Sequence, residues 1–448
     1  MKQIDPTIVK AYDIRGTYPD EFNEDVAYRI VRAFAEKLKP GLTVVGWDMR
    51  TSGPALVEPV TRGLTDQGSD VIQIGMCSTP MFYHSVNALK GDAGVMITAS
   101  HNPGQYNGFK MTGPKAIPSI GFASNEELYE IADSGEYEKP ERAGELRESV
   151  CTLDGYVEAV LKTSGITDFG GLKIVVDAGN GMDGMVLPHI FKGANCEVIP
   201  LYWEPDGTFP NHEANPLKEE TLAALKGKVL ETSANLGVAF DGDGDRVGFV
   251  DEKGNSISGD IITALIAREM LKEKPGATIL YDVRSSWAVK EEIEKAGGKP
   301  FIYRVGHGLI KLKMREAGVY FGGELSSHYY FSNFYVTDNG DLAMLKVIQL
   351  LAEEKKPLSE LVRPIMRYSH SPEINSTVKD ATGKLAELKE RYKDGHTIEL
   401  DGLTVEYDDW WFNVRPSQTE PLLRLNVEAK TETKMEEKVE ELLDMIRE

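Results

Sequence analysis

Positive charge is what this chain is short of. Its 50 Lys and Arg stand against 71 Asp and Glu, for a formal net charge of -21. A surface of that sign disfavours nucleic acid and anionic membranes as partners, because both select basic faces. An anionic small molecule can still be held, but only in a locally basic cleft. Cysteine is scarce as well: Cys77, Cys151 and Cys196 stand alone and form neither a disulfide framework nor a zinc pattern. No apolar run approaches the ~20 residues that a membrane helix needs. The opening Met1-Lys2-Gln3-Ile4-Asp5-Pro6 lacks the long apolar stretch of a secretory signal, so the expected location is cytoplasmic. What remains, 448 residues with 41% hydrophobic and 27% charged, is an ordinary globular composition long enough for several cores.

The densest chemical signal is Asp241-Gly242-Asp243-Gly244-Asp245-Arg246. Three carboxylates at alternate positions crowd hard oxygen ligands onto one tight loop, and without a cation they repel one another. Leu236 to Phe240 before it and Val247 to Val250 after it read as strands. Oxygen donors without Cys or His favour Mg²⁺ over zinc. A calcium loop also begins Asp-x-Asp-x-Asp, and Glu252 falls at its twelfth position, but Arg246 stands where that loop needs glycine and the flanks are not helical. The other reading is a plain acidic turn.

A similar succession of elements occurs three times. Each unit opens with an apolar strand ending at aspartate: Leu42 to Asp48, Leu172 to Asp177, Thr278 to Asp282. A Gly- or Ser-containing loop, a helical stretch and a second strand follow (Asp70 to Ile74, Glu197 to Leu201, Phe301 to Tyr303). Each closes on a third apolar strand: Gly94 to Ile97, Gly237 to Phe240, Gly318 to Phe321. Directly after that strand come three polar loops: Thr98-Ala99-Ser100-His101-Asn102-Pro103, the aspartate loop, and Gly323-Glu324-Leu325-Ser326-Ser327-His328. Ligands of open α/β sheets bind just beyond the carboxyl ends of strands. The fold class expected is therefore α/β, with three related domains of mixed sheets.

After about Leu361 the pattern changes. Leu403, Val405 and Tyr407 alternate, as do Leu423, Leu425, Val427 and Ala429, which predicts half-buried strands. Val439, Leu442, Leu443 and Ile446 have helical spacing. A smaller C-terminal α+β domain is expected, with the loop Arg415-Pro416-Ser417-Gln418-Thr419-Glu420-Pro421 between its strands. The divisions fall at 1–146, 147–250, 251–362 and 363–448.

Ser100 has no Gly-x-Ser-x-Gly elbow, so a hydrolase reading is weak and a turn or cap is its bland alternative. Beside His101, with a metal loop in the sister unit, it could instead carry a phosphoryl group. Arg415, Ser417 and Thr419 offer a guanidinium and two hydroxyls to a phosphate, though an arginine next to proline also suits a simple turn. Glu324, Ser326 and His328 suit sugar hydroxyls.

These four loops, in this order, resemble the α-D-phosphohexomutase family. Ala11-Tyr12-Asp13-Ile14-Arg15-Gly16 and Pro205-Asp206-Gly207-Thr208-Phe209-Pro210-Asn211-His212 are similar to further motifs of it. The resemblance spans essentially the whole chain and leans toward bacterial members acting on mannose and glucose phosphates. It implies four domains around one central cleft and a phosphosugar mutase. Ser100 would be the phosphoserine and, with Asp241, Asp243 and Asp245, would hold Mg²⁺. A hexose 1-phosphate would pass through a bound hexose 1,6-bisphosphate that turns end for end and leaves as the 6-phosphate. Arg15 and Arg246 would steady the transferring phosphoryl group, and Lys110 and His101 would move protons. Arg415, Ser417, Gln418 and Thr419 would grip the other phosphate. Tyr12, Arg284, His307, Glu324, Ser326 and His328 would bind substrate, as a monomer or homodimer.

The chain departs from the family pattern in places. Gln418 replaces the usual Asn, and Ser327 replaces a common Gly. Apolar Leu325 leans away from an amino sugar, and Trp287 has no assigned role. Two alternatives stay open: a phosphoglucosamine mutase, and a phosphosugar-binding protein without turnover.

Overall fold

The computed structural model describes residues 3–417 and 422–448. In its first sheet β1 (Ile14–Thr17), β2 (Leu42–Trp47), β3 (Asp70–Met76), β4 (Ala93–Ile97) and β5 (Tyr106–Thr112) lie in the order β1-β5-β4-β2-β3. The second holds β6 (Lys173–Asp177), β7 (Glu197–Leu201), β8 (Leu236–Phe240), β9 (Val247–Val250) and β10 (Ser256–Ile257), ordered β10-β9-β8-β6-β7. The third holds β11 (Thr278–Asp282), β12 (Lys299–Tyr303), β13 (Phe321–Gly323), β14 (Tyr329–Phe331) and β15 (Thr337–Asp338), ordered β12-β11-β13-β14-β15.

The three sheets share one plan. Three parallel strands, joined by crossover helices, meet an antiparallel strand on one side. The loop between the last parallel strand and that antiparallel partner is the polar loop in every case: β4 to β5 carries Ser100, β8 to β9 the aspartates, and β13 to β14 Glu324 to His328. The aspartates at the ends of the opening strands also do one job three times. Asp48, Asp177 and Asp282 each accept, through Oδ1, the backbone N–H two residues on, at 3.0, 2.8 and 2.7 Å. That side-chain turn bends the chain sharply at the edge where ligands bind.

Two expectations need correction. The third strand of the third unit does not begin at Gly318. Gly318 takes φ +63° and caps the helix His307–Ala317, its N–H bonded to the Met314 carbonyl, so pairing starts only at Phe321. The C-terminal strands are also buried more deeply than a half-exposed sheet. There β16 (Ser369–His370), β17 (Ile374–Thr377), β18 (His396–Ile398), β19 (Leu403–Glu406), β20 (Trp410–Pro416) and β21 (Leu422–Ala429) form the fourth sheet. Leu403, Val405, Leu423, Leu425 and Val427 face its core, but Asn413, Asn426, Glu428 and Trp411 on the other face are buried too.

That second face meets the third domain through polar contacts. Glu428 accepts the Trp287 N–H at 2.9 Å, and the Trp287 indole donates to Glu406 at 3.1 Å, which gives Trp287 a structural role. Val305 N–H donates to Asp401 at 3.0 Å. One apolar core runs through the first three sheets, from Val44 and Phe82 to Val238 and Phe321. The fourth domain closes a separate core beneath the helix Glu432–Arg447, with Leu442 and Ile446 buried.

Candidate active site

The aspartate loop joins the third polar loop and the start of the helix Thr79–Ala88 by backbone contacts, and the serine loop reaches it through the Ser100 side chain. Arg246 and His328 form an isolated antiparallel bridge, Val247 N–H donates to the Ser327 carbonyl at 3.2 Å, and Thr79 N–H donates to the Asp243 carbonyl at 2.7 Å. Ser100 sits at the centre, 1% exposed, with φ +52°. A non-glycine residue is uncommon in that region, where the side chain crowds its own backbone, and such positions cluster at functional sites. The twist aims Ser100 Oγ at the aspartate loop: it donates to Asp241 Oδ2 at 2.9 Å and lies 3.2 Å from His101 Nδ1. Burial, then Arg246 and Arg15, hold the His101 pKa well below its ordinary value.

The aspartate loop fits a divalent cation. Oxygens of Asp241, Asp243 and Asp245 lie within 4.8 Å of one another, and all three residues are buried. Asp243 Oδ1 and Asp245 Oδ1 have no hydrogen-bond partner among the described residues. Buried, unpaired carboxylate oxygens are costly and call for a cation. Burial, together with Asp243 and Asp245, raises the Asp241 pKa, the response expected of like charges crowded together in a dry site. The donor set is oxygen only, which suits Mg²⁺. A second cluster, Asp245, His328 and Asp338, lies beside it, but Lys311 already donates to Asp338 there at 2.9 Å.

Cations ring these acids. Lys110 Nζ donates to Asp243 Oδ2 at 2.7 Å and to Asp245, and those carboxylates raise its pKa although burial opposes it. Arg15 donates to Asp13 at 2.6 Å and to Asn102 Oδ1 at 2.7 Å. The His328 pKa is pushed up to about 9, since Asp245 and Glu324 outweigh burial and Arg246. Arg246 Nε donates to His328 Nε2 at 3.2 Å, which seats the guanidinium at the wall of the site.

A cleft of about 470 Å³ opens over this wall. Tyr12, Arg15, His101, Lys110, Arg246, His307 and His328 line it, and across from them stand Arg415, Ser417 and Arg424 of the fourth domain. Tyr12 meets the His307 ring edge-on, with centroids 4.8 Å apart. Gly306 has φ +124°, and a Cβ there would meet the Tyr12 ring at 2.9 Å, so only glycine fits. Glu324 is buried behind this wall: it accepts Gly306 N–H at 3.0 Å and the Tyr330 hydroxyl, and His328 Nδ1 lies 3.4 Å away. Ser326 Oγ lies 3.3 Å from His328 Nδ1. Arg284 is clamped to Asp282 at 2.7 and 3.1 Å and reaches Glu324 at 3.8 Å. Gln418 and Thr419 lie outside the described residues.

One residue that motif reading misses is Arg50. Fully buried against Asp48, it donates to four backbone carbonyls of the serine loop: Ser100 at 2.8 Å, Asn102 at 2.6 Å, Pro103 at 2.7 Å and Tyr106 at 2.9 Å. Its guanidinium lies 5.5 Å from the Phe209 ring. Gly207 touches the same turn so closely that a Cβ would meet Arg50 Cα at 2.6 Å. This explains the 205–212 motif, which braces the serine loop from the second domain. The sequence signal was there: Asp48-x-Arg50 repeats as Asp282-x-Arg284. In Arg50→Lys an ammonium cannot span four carbonyls. We expect kcat to fall about a hundredfold, as for an ångström-scale misplacement of a reacting group, while Mg²⁺ still raises the melting temperature. Steady-state assay and thermal melts check both.

Comparison with known proteins agrees with this geometry. Residues 6–139, 154–254 and 258–368 match the phosphoglucomutase/phosphomannomutase alpha/beta/alpha domains I, II and III, and 373–445 match the C-terminal domain of that family. A phosphomannomutase of Escherichia coli is 38% identical, with 98% of this chain and 99% of that protein covered. One from Methanocaldococcus jannaschii is 40% identical over 99% of this chain and 98% of its own. A solved phosphoglucomutase/phosphomannomutase family protein from Burkholderia thailandensis superposes with a TM-score of 0.89 at 34% identity, covering 99% of this chain and 97% of that one.

Proposed function

The chain belongs to the phosphoglucomutase/phosphomannomutase family and is a phosphosugar mutase, and we propose that it interconverts the 1- and 6-phosphates of mannose and glucose through a phosphorylated Ser100. The observation that carries this reading is the approach of Ser100 Oγ to Asp241 Oδ2, 2.9 Å, beside His101, Lys110 and Arg246, which line a cleft that also holds Arg415. One end of the cleft suits phosphoryl transfer, and the other suits holding a second phosphate.

In this reading the hydroxyl of a bound hexose monophosphate attacks the phosphoryl group on Ser100. A bond forms from phosphorus to the sugar oxygen, the bond to Ser100 Oγ breaks, and a bisphosphate results. Its other phosphate returns to Ser100 after the sugar turns end for end. Arg15 and Arg246 meet the charge on the moving oxygens. His101 takes up the proton, and Lys110, held in its charged form, serves as donor. Asp241, Asp243, Asp245 and Ser100 would hold Mg²⁺, which supplies positive charge that polarises the phosphoryl group. Arg415 and Ser417, with Gln418 and Thr419, grip the phosphate not in transfer. Tyr12, His307, His328, Ser326, Glu324 and Arg284 shape the wall against which the sugar turns.

Mannose is favoured by relatives named phosphomannomutase, glucose beside it by a Pseudomonas syringae relative named phosphomannomutase/phosphoglucomutase, and both by apolar Leu325, which offers an amino group no partner. Phosphorus NMR time courses with mannose, glucose and glucosamine 1-phosphates test this, each with Mg²⁺ and a trace of glucose 1,6-bisphosphate. The expected result is the 6-phosphate from the first two. Conversion of glucosamine phosphate alone would overturn the sugar assignment.

A further inference from the structure

Arg415 and Arg424 stand directly opposite each other across the β20–β21 ladder. Like charges at opposed positions on neighbouring strands destabilise a sheet unless an anion lies between them. Here the anion is Glu373, just ahead of β17. Its Oε2 accepts from Arg415 at 2.6 Å and lies 3.7 Å from Arg284 of the third domain, while its Oε1 lies 3.5 Å from Arg424. Arg284 already has Asp282, so Glu373 alone, among the described residues, serves the other two guanidiniums. One carboxylate for two arginines leaves a surplus positive charge. The Nε atoms of Arg415 and Arg424 are buried without a partner among the described residues, so donors remain for a second anion. The Glu373 side chain is 25% exposed, and the two arginines it pairs with line the cleft.

We propose that Glu373 is a built-in stand-in for phosphate: it holds Arg415 and Arg424 aimed between grips, and it yields them when a sugar phosphate arrives. This rests on the reading of the Arg415 loop as the phosphate-holding site. A bisphosphate that turns end for end must be gripped and released within each turnover. A resident carboxylate lowers the cost of release, because the guanidiniums are not left unpaired in a half-buried site. Its bond to Arg284 makes the exchange felt across the joint between the third and fourth domains. Glu373 is thus a positioning residue that weakens phosphate binding and speeds its release.

The test is equilibrium binding of inorganic phosphate and of glucose 1,6-bisphosphate, with steady-state kinetics, for the wild type, Glu373→Gln, Glu373→Asp and Arg415→Met. The amide keeps the shape and loses the charge that repels phosphate, so Glu373→Gln should bind both ligands about tenfold more tightly. KM and kcat should fall together, because release is slowed. Glu373→Asp, whose shorter arm draws back from Arg415, should shift the same way by less, and it decides the sign should the amide variant not fold. Weaker or unchanged binding in these variants, with Arg415→Met weakened, overturns the role of Glu373 and leaves the holding site standing. Unchanged binding in Arg415→Met overturns the holding site itself, and this inference with it.

Discussion

Ser100→Ala should lose at least about four orders of magnitude in kcat, the scale on which removal of an enzyme's nucleophile is felt. It should keep its fold and its cleft. The hydroxyl makes few structural bonds, one to Asp241 and one near His101, so little holds the loop through it. The loop is held instead by Arg50, which grips its carbonyls and not its side chain. The neighbouring Thr98 cannot take over, since its hydroxyl accepts Ser100 N–H at 2.9 Å and faces Asp243 at 3.4 Å. Ser100→Gly separates chemistry from stability. At φ +52° a Cβ is strained, and glycine relieves about 1 kcal/mol of that. The glycine variant should melt at or above the wild type and be as inactive as the alanine variant. A coupled assay beside thermal melts reads both, and turnover near the wild-type rate in either variant would remove Ser100 from the mechanism.

Chelation should abolish activity, and Mg²⁺ should restore it. The same cation should stabilise the fold, because among the described residues the three buried carboxylates are met by Lys110, Arg246 and His328 and still crowd one another. A ligand that binds only the folded chain adds about 2.7 kcal/mol at a hundred times its dissociation constant. Asp243→Asn should weaken Mg²⁺ by more than about a hundredfold, since loss of a mere second-layer partner costs up to that. It should also erase the Mg²⁺-induced rise in melting temperature. In the metal-free state the variant loses one repelling charge but also the Asp243 pair with Lys110, which keeps Asp245, so its melting temperature should change little. A full Mg²⁺ shift in Asp243→Asn would place the cation elsewhere.

The positions of the loops were legible in the sequence because strand, turn and polar loop recur three times, and because Asp-x-Asp-x-Asp is dense in meaning by itself. Ser100 and Asp241 lie 141 residues apart yet bond directly, a meeting that the family resemblance implied and the repeated topology alone did not. Other features were hidden for physical reasons. Gly318 and Val319 suit a strand by residue type, but glycine's freedom at φ +63° ended a helix there. Alternation along β21 marked one face as core and said nothing of Glu428, which is buried because a second domain covers it. Arg50 binds carbonyls, which every residue has, so no motif flags its partners. Glu373 meets Arg284, Arg415 and Arg424 only through tertiary folding. Glu324 was read as a direct sugar contact from its residue type, yet its oxygens are engaged with Gly306, Tyr330 and His328, which suits it to setting the wall.

The most direct measurement of the central claim is where phosphate resides after the protein meets glucose 1,6-bisphosphate and Mg²⁺. Peptide mass mapping should find one phosphoryl group, on Ser100. Adding excess hexose monophosphate should then discharge it into the bisphosphate. A phosphoryl group on any other residue, or turnover by protein that never carries one, would contradict the account.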